Sequence, residues 1–239
     1  MRILVANVNT TETMTDGIAE AARAVASAGT EIIPITPDFG AESCEGNFES
    51  YLAAIAVMDA VVRYEGEYDA VIQAGYGEHG REGLQELLTV PVVDITEAAA
   101  STAMYLGRSY SVVTTLDRTV PLIEDRLILG GLHDRCASVR SSGMSVLELE
   151  SEPERAIDAI VAEAQLAVDV DRAEVIVLGC GGMAELKDRV VERCGVPVVD
   201  GVQAAVAVAE GLVNLGLQTS KVRTYAPPRP KRVTGFPSR

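Results

Sequence analysis

The chain has 239 residues, 48% of them apolar and 23% charged, the composition of an ordinary globular protein with room for one large domain or two small ones. Twenty Lys and Arg stand against 35 Asp and Glu, and the resulting formal charge of -15 repels phosphate backbones and anionic lipid, so neither nucleic acid nor a membrane is an expected partner. No apolar run approaches the ~20 residues of a bilayer span, and Met1-Arg2-Ile3-Leu4 opens a strand-like run rather than a signal peptide, which predicts a cytoplasmic protein.

In chain order, β-branched runs alternate with Ala-rich stretches, the pattern of βα units feeding a parallel sheet covered on both faces. Strands are expected over 3–8, 31–35, 70–74, 90–94, 109–115, 136–140, 175–178 and 196–199, and helices over 13–28, 48–63, 97–106, 121–129, 154–170 and 203–215. Thr13 with Asp16 reads as a capping box, and Gly29 and Gly216 stand where helix ends favour a left-handed residue. From Lys221 to Arg239 there are six Lys or Arg, four Pro and no acid, an extended tail suited to an acidic surface of its own or a neighbouring subunit. Apolar, Ala-rich helices point to a homo-oligomer.

An internal repeat organises this series. Val71-Ile72-Gln73-Ala74-Gly75-Tyr76-Gly77 aligns with Ile176-Val177-Leu178-Gly179-Cys180-Gly181-Gly182, and Val90-Pro91-Val92-Val93-Asp94 returns as Val196-Pro197-Val198-Val199-Asp200. Two copies of strand, Gly-rich turn, helix, VPVVD strand and helix imply two similar α/β lobes. Ligands of parallel sheets sit beyond the carboxyl ends of the strands, so the two Gly-rich turns should face each other across a cleft.

The four cysteines, Cys44, Cys136, Cys180 and Cys194, have no CxxC spacing, and with two histidines far apart they make no zinc pattern, so no metal is expected. Cys180 follows a strand and opens a helix, where backbone N–H groups and the helix dipole would lower a thiol's pKa and stabilise an enolate oxygen, with Gly181 and Gly182 letting a substrate approach. The alternative is a small buried thiol in a tight turn. The partner turn from Gly75 to Gly83 carries Glu78, His79 and Arg81, possible acid, base and carboxylate-binding groups, against readings of a capping Glu, a surface His and a solvated Arg. Asn9 and Thr10 after the first strand, and Thr114 and Thr115 after the fifth, could bind a carbonyl or amide or could do no more than cap. Tyr76, Phe39 and Phe48 are the residues available to stack on a large aromatic substrate. Cys44 lies in a loop over 41–47 able to cover the cleft, while Cys136 and Cys194 read as structural. No GxxxxGK[ST] is present; Gly75 to Gly80 satisfies GxGxxG, but mid-chain and without a placed ribose acid, which argues against a dinucleotide.

Together these residues resemble the aspartate/glutamate/hydantoin racemase superfamily, and within it the hydantoin and allantoin racemases. Met1-Arg2-Ile3-Leu4-Val5-Ala6-Asn7-Val8-Asn9-Thr10-Thr11 looks like that group's RILVINPN(S/T) start, Val177-Leu178-Gly179-Cys180-Gly181-Gly182-Met183 like its VLGCAGM motif, and Leu215-Gly216-Leu217-Gln218-Thr219-Ser220-Lys221 like its closing segment. The resemblance implies two pseudo-symmetric Rossmann-like lobes, residues 1–97 with 208–239 in the first and 98–207 in the second, an active site between them and no cofactor. It also implies two cysteines flanking the substrate's stereocentre, one removing the α-proton and the other delivering a proton to the opposite face. Cys180 matches the second; the first falls at Gly75, where hydantoin racemases carry ACFGDPG, and a glycine neither takes nor gives a proton.

Three readings follow from that departure. The first is a racemase of a hydantoin- or allantoin-like cyclic ureide with Cys180 on one face and His79, Glu78 or a water on the other, its ring held by Asn9, Thr10, Gly75, Tyr76, Gly77, Thr114, Thr115, Gly181 and Gly182. The second resembles arylmalonate decarboxylase, which has glycine at the first position and one cysteine at the second; Arg81 would suit its carboxylate. The third is a binding protein that keeps the cleft without the chemistry.

Overall fold

A computed structural model of the chain describes residues 1–234, the side chain of Glu185 excepted. Among these residues eight strands form two parallel sheets of four. The first contains β1 (Arg2–Ala6), β2 (Glu31–Ile35), β3 (Ala70–Gln73) and β4 (Val92–Asp94) in the order β2-β1-β3-β4. The second contains β5 (Tyr110–Thr114), β6 (Cys136–Ser141), β7 (Val175–Leu178) and β8 (Val198–Asp200) in the matching order β6-β5-β7-β8. The repeat seen in the sequence is therefore a repeat of topology, with β3 and β7 as inner strands buried along their whole length. Full burial explains why their sequences, AVIQ and VIVL, run apolar without alternation.

Helices cover both sheets: α1 (Glu12–Val25), α2 (Asn47–Arg63), α3 (Arg81–Leu87), α4 (Ile95–Leu106), α5 (Val120–Leu129), α6 (Val146–Ser151), α7 (Pro153–Asp169), α8 (Lys187–Cys194) and α9 (Gly201–Asn214). No helix among the described residues is long and apolar enough to cross a membrane. The two VPVVD copies end in the same device. Asp94 Oδ1 accepts from the N–H of Glu97 and Asp200 Oδ1 from that of Gln203, each at 2.8 Å, so both aspartates cap the next helix. The prolines of those copies lack an N–H, and both strands begin one residue beyond them; the Pro91 and Pro197 carbonyls still accept from Val71 and Ile176 at 2.9 and 3.0 Å.

The helices that follow the two copies, α4 and α9, pack on each other where the sheets meet. The approach is close: a Cβ on Gly201 would stand 2.9 Å from the carbonyl oxygen of Ile95. The other side of α9 lies on α1 and β3 of the first sheet, and Glu210 fastens it there, accepting from Ser27 N at 2.9 Å, Ser27 Oγ at 2.7 Å and Thr30 Oγ1 at 2.5 Å. Beyond α9 the chain continues onto the first sheet's edge, where Thr219 N donates to Thr89 O at 2.9 Å and Lys221 Nζ to Gln85 O at 2.5 Å.

Three local expectations are corrected. Helix α1 begins at Glu12 with Thr11 as a cap that makes no side-chain bond, and Thr13 Oγ1 donates to Glu150 Oε2 at 3.1 Å instead of forming a box with Asp16. Asn7 and Asn9 organise that helix start: Asn9 Oδ1 accepts from Thr11 N at 3.0 Å and Asn7 Nδ2 lies 3.2 Å from Thr11 O. Gly29 does adopt a positive φ of 88°, but in the turn into β2, because α1 has already ended at Val25. The capping box is at Ser145 and Glu148, which start α6, a helix outside the expected set.

Candidate active site

The carboxyl ends of four strands, two from each sheet, converge on one cleft. β1 delivers Asn7, Val8 and Asn9; β3 delivers Ala74, Gly75, Tyr76 and His79; β5 delivers Thr114, Thr115 and Thr119; and β7 delivers Gly179, Cys180, Gly181 and Gly182. Met14, Ile18, Cys44 and Val146 complete the wall. The two Gly-rich turns meet as the repeat predicts, since a Cβ on Gly181 would sit 2.9 Å from Ala74 O. Among the described residues that line the cleft none is Lys, Arg, Asp or Glu.

Of the residues singled out from sequence, Asn9, Gly75, Tyr76, His79, Thr114, Thr115, Cys180, Gly181 and Gly182 line the cleft, whereas Thr10, Gly77, Glu78 and Arg81 do not. Thr10 is turned to the 41–46 loop, its N and Oγ1 3.0 and 3.3 Å from Ala41 O. Gly77, at φ 121°, donates its N–H to Thr96 Oγ1 at 2.9 Å, and that left-handed conformation turns Glu78 out of the cleft. Arg81 is engaged by acids, with Nη1 2.7 Å from Glu97, Nη2 2.9 Å from Glu82 and Nε 3.3 Å from Asp94. It is thereby withdrawn from the carboxylate-binding role that its charge suggested.

Cys180 is half-buried in the cleft wall, and desolvation there pushes its thiol up to about 11, opposed by the N–H of Gly182 and reinforced by Asp200 and Glu45. The expected lowering by a helix dipole does not occur. Residues Gly181–Leu186 form a 3-10 turn and α8 starts only at Lys187, too far for its first-turn field to outweigh desolvation. Cys180 therefore stands protonated at neutral pH. Cys44, the residue of the 41–46 loop that lines the cleft, donates to Val8 O at 3.2 Å and is pushed up to about 12 by burial, with Glu49 and Cys180 adding. Cys136 packs against the core and Cys194 ends α8; all four thiols are free.

His79 is 4% exposed, and burial pushes it down to about 4, so it is a neutral imidazole whose Nδ1 has no partner among the described residues. Among the described residues Asn9 Nδ2 has only the thioether of Met14, 3.1 Å away, a weak acceptor that leaves the amide available to a ligand. Thr114 Oγ1 sits 3.2 Å from Gly179 O.

Behind the His79 turn lies an ion cluster that the sequence reading did not assemble. Arg126 on α5 is 3% exposed, and its Nη1 is 3.1 Å from Glu78 and 2.6 Å from Glu82, its Nη2 2.9 Å from Asp94 and 3.1 Å from Glu97. With Arg81 the cluster holds two guanidinia and four carboxylates, a surplus of negative charge. Burial and the hydrogen bond to Glu82 raise the proton affinity of Glu78; burial opposes Glu82 too, but the Glu78 hydrogen bond and the two guanidinia hold it down to about 2. The signal in the sequence was the spacing Ile123, Arg126, Leu127, which puts an arginine in the buried stripe of α5. No group of three or more His, Cys, Asp or Glu among the described residues is placed to hold a metal ion.

Comparison with known proteins gives a consistent set of likenesses. The family model described as Asp/Glu/Hydantoin racemase matches residues 3–209. A hydantoin racemase of Pseudomonas sp. (strain NS671) is 39% identical over 236 residues, 98% of this chain and 95% of the relative. The crystal structure of an allantoin racemase from Pseudomonas fluorescens superposes with a TM-score of 0.97 at 74% identity, covering 98% of this chain and all of that one. Arylmalonate decarboxylase, at 18% identity and a TM-score of 0.58 over 89% of this chain and 92% of its own, shares the fold.

Proposed function

The chain belongs to the Asp/Glu/hydantoin racemase family as an isomerase, and from that premise we propose that it racemises a cyclic ureide of the hydantoin or allantoin type by moving a proton at the ring carbon next to a carbonyl. The observation that carries the substrate class is the uncharged cleft. A wall of amides, hydroxyls and backbone N–H groups suits a neutral ring with carbonyls and N–H groups of its own. A malonate dianion would find no cation among the described lining residues, which tells against the decarboxylase reading.

In this reading Cys180, held neutral by burial, is the acid on one face. The second proton carrier comes from the turn in which Gly75 has no side chain to offer, and there His79 lines the cleft with an Nδ1 unpartnered among the described residues, whereas the Glu78 carboxyl is held outside it by the Gly80 N–H at 2.9 Å and by Arg126 at 3.1 Å. Buried and neutral, with a value of about 4, the imidazole is a weak base that gives a proton back readily. His79 takes the α-proton, the electron pair enters the adjacent carbonyl as an enolate, and the Cys180 thiol gives its proton to the opposite face. That leaves an imidazolium and a thiolate, the form that runs the opposite enantiomer, and the pair titrates as a unit. Gly181 and Gly182 N–H groups support the enolate oxygen.

Proton NMR in deuterated buffer tests the reading with allantoin and a substituted hydantoin. Wild type should replace the α-proton by deuterium without loss of mass, and Cys180→Ala and His79→Gln should each slow this by ~10²–10⁴, the usual worth of a general acid or base. Full exchange by Cys180→Ala, or carbon dioxide release from an arylmalonate at a higher rate than ureide exchange, would overturn it.

A further inference from the structure

A second cavity adjoins the cleft at the Cys180 turn. Its walls are α1, which follows β1 of the first sheet, the junction of α6 and α7, which connect β6 to β7 in the second, and the 3-10 turn after Cys180. Met14, Ile18, Gly181 and Gly182 line both spaces, so cleft and cavity have one wall in common. Two of those four residues carry no side chain, and the unbranched Met14 turns aside readily, with only its contact to the Asn9 amide to give up. A Cβ on Gly182 would stand 3.8 Å from Cys180 Sγ and 3.6 Å from Leu149 Cδ1, which puts this glycine between the thiol and a wall of the cavity. The cleft holds about 50 Å³ and the cavity about 210 Å³, and neither alone reaches the ~300 Å³ at which small-molecule sites begin.

Two residues of the cavity have no part in the chemistry and need another account. Gly17 is an interior residue of α1, where glycine weakens a helix relative to alanine, and no left-handed φ calls for it. What it supplies is room on the cavity wall. Glu150 on α6 is the one charged residue among the described lining. It is solvent-exposed and so marks the outer end of the cavity, and its Oε2 accepts from Thr13 Oγ1 at 3.1 Å, which ties it across to α1. Its Oε1 accepts from no group among the described residues. An apolar passage that ends on a free carboxylate oxygen suits a neutral substituent with N–H groups at its tip, and repels one that ends in a carboxylate.

We propose that this cavity is the subsite for the substituent on the reacting ring carbon, that Gly17 keeps it open, and that Glu150 selects a ureido-type tail by accepting its N–H groups. The inference rests on the ureide reading above and goes beyond it by assigning the part of the substrate that the cleft does not hold. With the ring against Asn9, Thr114 and Thr115 and its reacting carbon beside Cys180, the substituent crosses Gly181 and Gly182, moves the Met14 thioether aside and enters the cavity.

The experiment measures α-proton exchange in deuterated buffer on three probes: hydantoin, which has no substituent at the ring carbon; allantoin, which has a neutral ureido tail; and hydantoin-5-acetic acid, which has a carboxylate. Wild type, Gly17→Leu and Glu150→Gln are compared. Gly17→Leu fills the cavity with an isobutyl group and should lower the allantoin-to-hydantoin ratio of kcat/KM by ~10²-fold, the scale on which a pocket discriminates by size. Its melting temperature should not fall, because leucine is the better helix former. Glu150→Gln should raise KM for allantoin by ~3–10-fold with little change in kcat, and should narrow the preference for allantoin over hydantoin-5-acetic acid. An unchanged ratio in Gly17→Leu, or an equal loss on all three probes, overturns the inference and leaves the ureide reading standing. Absence of exchange on every probe by wild type would sink that reading and the inference with it. Should Gly17→Leu fail to fold, Glu150→Gln, an exposed substitution, decides alone: an unchanged KM for allantoin overturns the proposal.

Discussion

The imidazole of His79 stands where a side chain on Gly75 would have to go: a Cβ there would lie 2.8 Å from His79 Nδ1, 2.8 Å from Gln73 Nε2 and 2.5 Å from Val8 Cγ1. The glycine and the histidine are thus one packing unit, and the turn is built around the missing side chain.

Gly75→Cys should therefore destabilise the protein by ~1–3 kcal/mol, the usual cost of overpacking, and should fail to raise proton exchange above wild type. The stiff, β-branched Val8 cannot swing away as a long side chain would. Adding His79→Ala should recover part of the melting temperature by freeing one of the three contacts. A fully stable Gly75→Cys single variant would contradict the packing.

Cys180 stands at about 11 against an ordinary 9, so its neutral form should persist well into the alkaline range. Iodoacetamide should label it slowly near neutrality and progressively faster towards about pH 11, since only the thiolate reacts. Peptide mass mapping across pH reads this directly, and rapid labelling of Cys180 at about pH 7 would refute it. The same shift favours the fold below about pH 9, and the contribution is lost as pH rises through about 11.

His79 makes the opposite kind of contribution. Its folded value of about 4 lies below the ordinary 6.5, so the neutral imidazole stabilises the fold fully above 6.5, and that stabilisation is lost as pH falls towards 4. The melting temperature of wild type should decline across that window. In His79→Gln, which cannot titrate, the decline should be shallower, and an identical decline would show that His79 is not the group responsible.

Arg81 supplies a check on the substrate's charge. Its side chain is 14% exposed and committed to Glu82, Asp94 and Glu97, so Arg81→Gln should cost ~2–3 kcal/mol of stability by stranding buried carboxylates. KM for a ureide should change by less than about threefold. A large rise in KM would put the guanidinium back at the substrate.

What was legible in the sequence was what repeats or alternates. The duplicated VPVVD segments and Gly-rich turns disclosed the two-sheet plan because each half must bury the same kind of strand and cap the same kind of helix. The wall residues Asn9, Thr114, Thr115 and Cys180 were readable because strand ends are where parallel sheets present side chains to ligands. Less legible was anything set by a balance of fields. The position of Cys180 invited a lowered pKa, and desolvation of the thiol, with Asp200 and Glu45 adding, reverses it. Arg81 and Arg126 are distant in sequence, 45 residues apart, and share the carboxylates of Glu82, Asp94 and Glu97, an arrangement no local pattern encodes. Helix α6 carried its Ser145–Glu148 signature in plain view, but its six residues are too few to show a period.

The placement of α9 has a bearing on how the chain comes to be folded at all. The first sheet is complete in sequence by Asp94, yet the helix that covers α1 and β3, and the Glu210 that satisfies Ser27 and Thr30, lie more than a hundred residues later. During synthesis the amino-terminal half must wait with an apolar face uncovered until the last helix emerges. Contacts of such long sequence separation fold slowly, and the waiting intermediate is the species most exposed to aggregation.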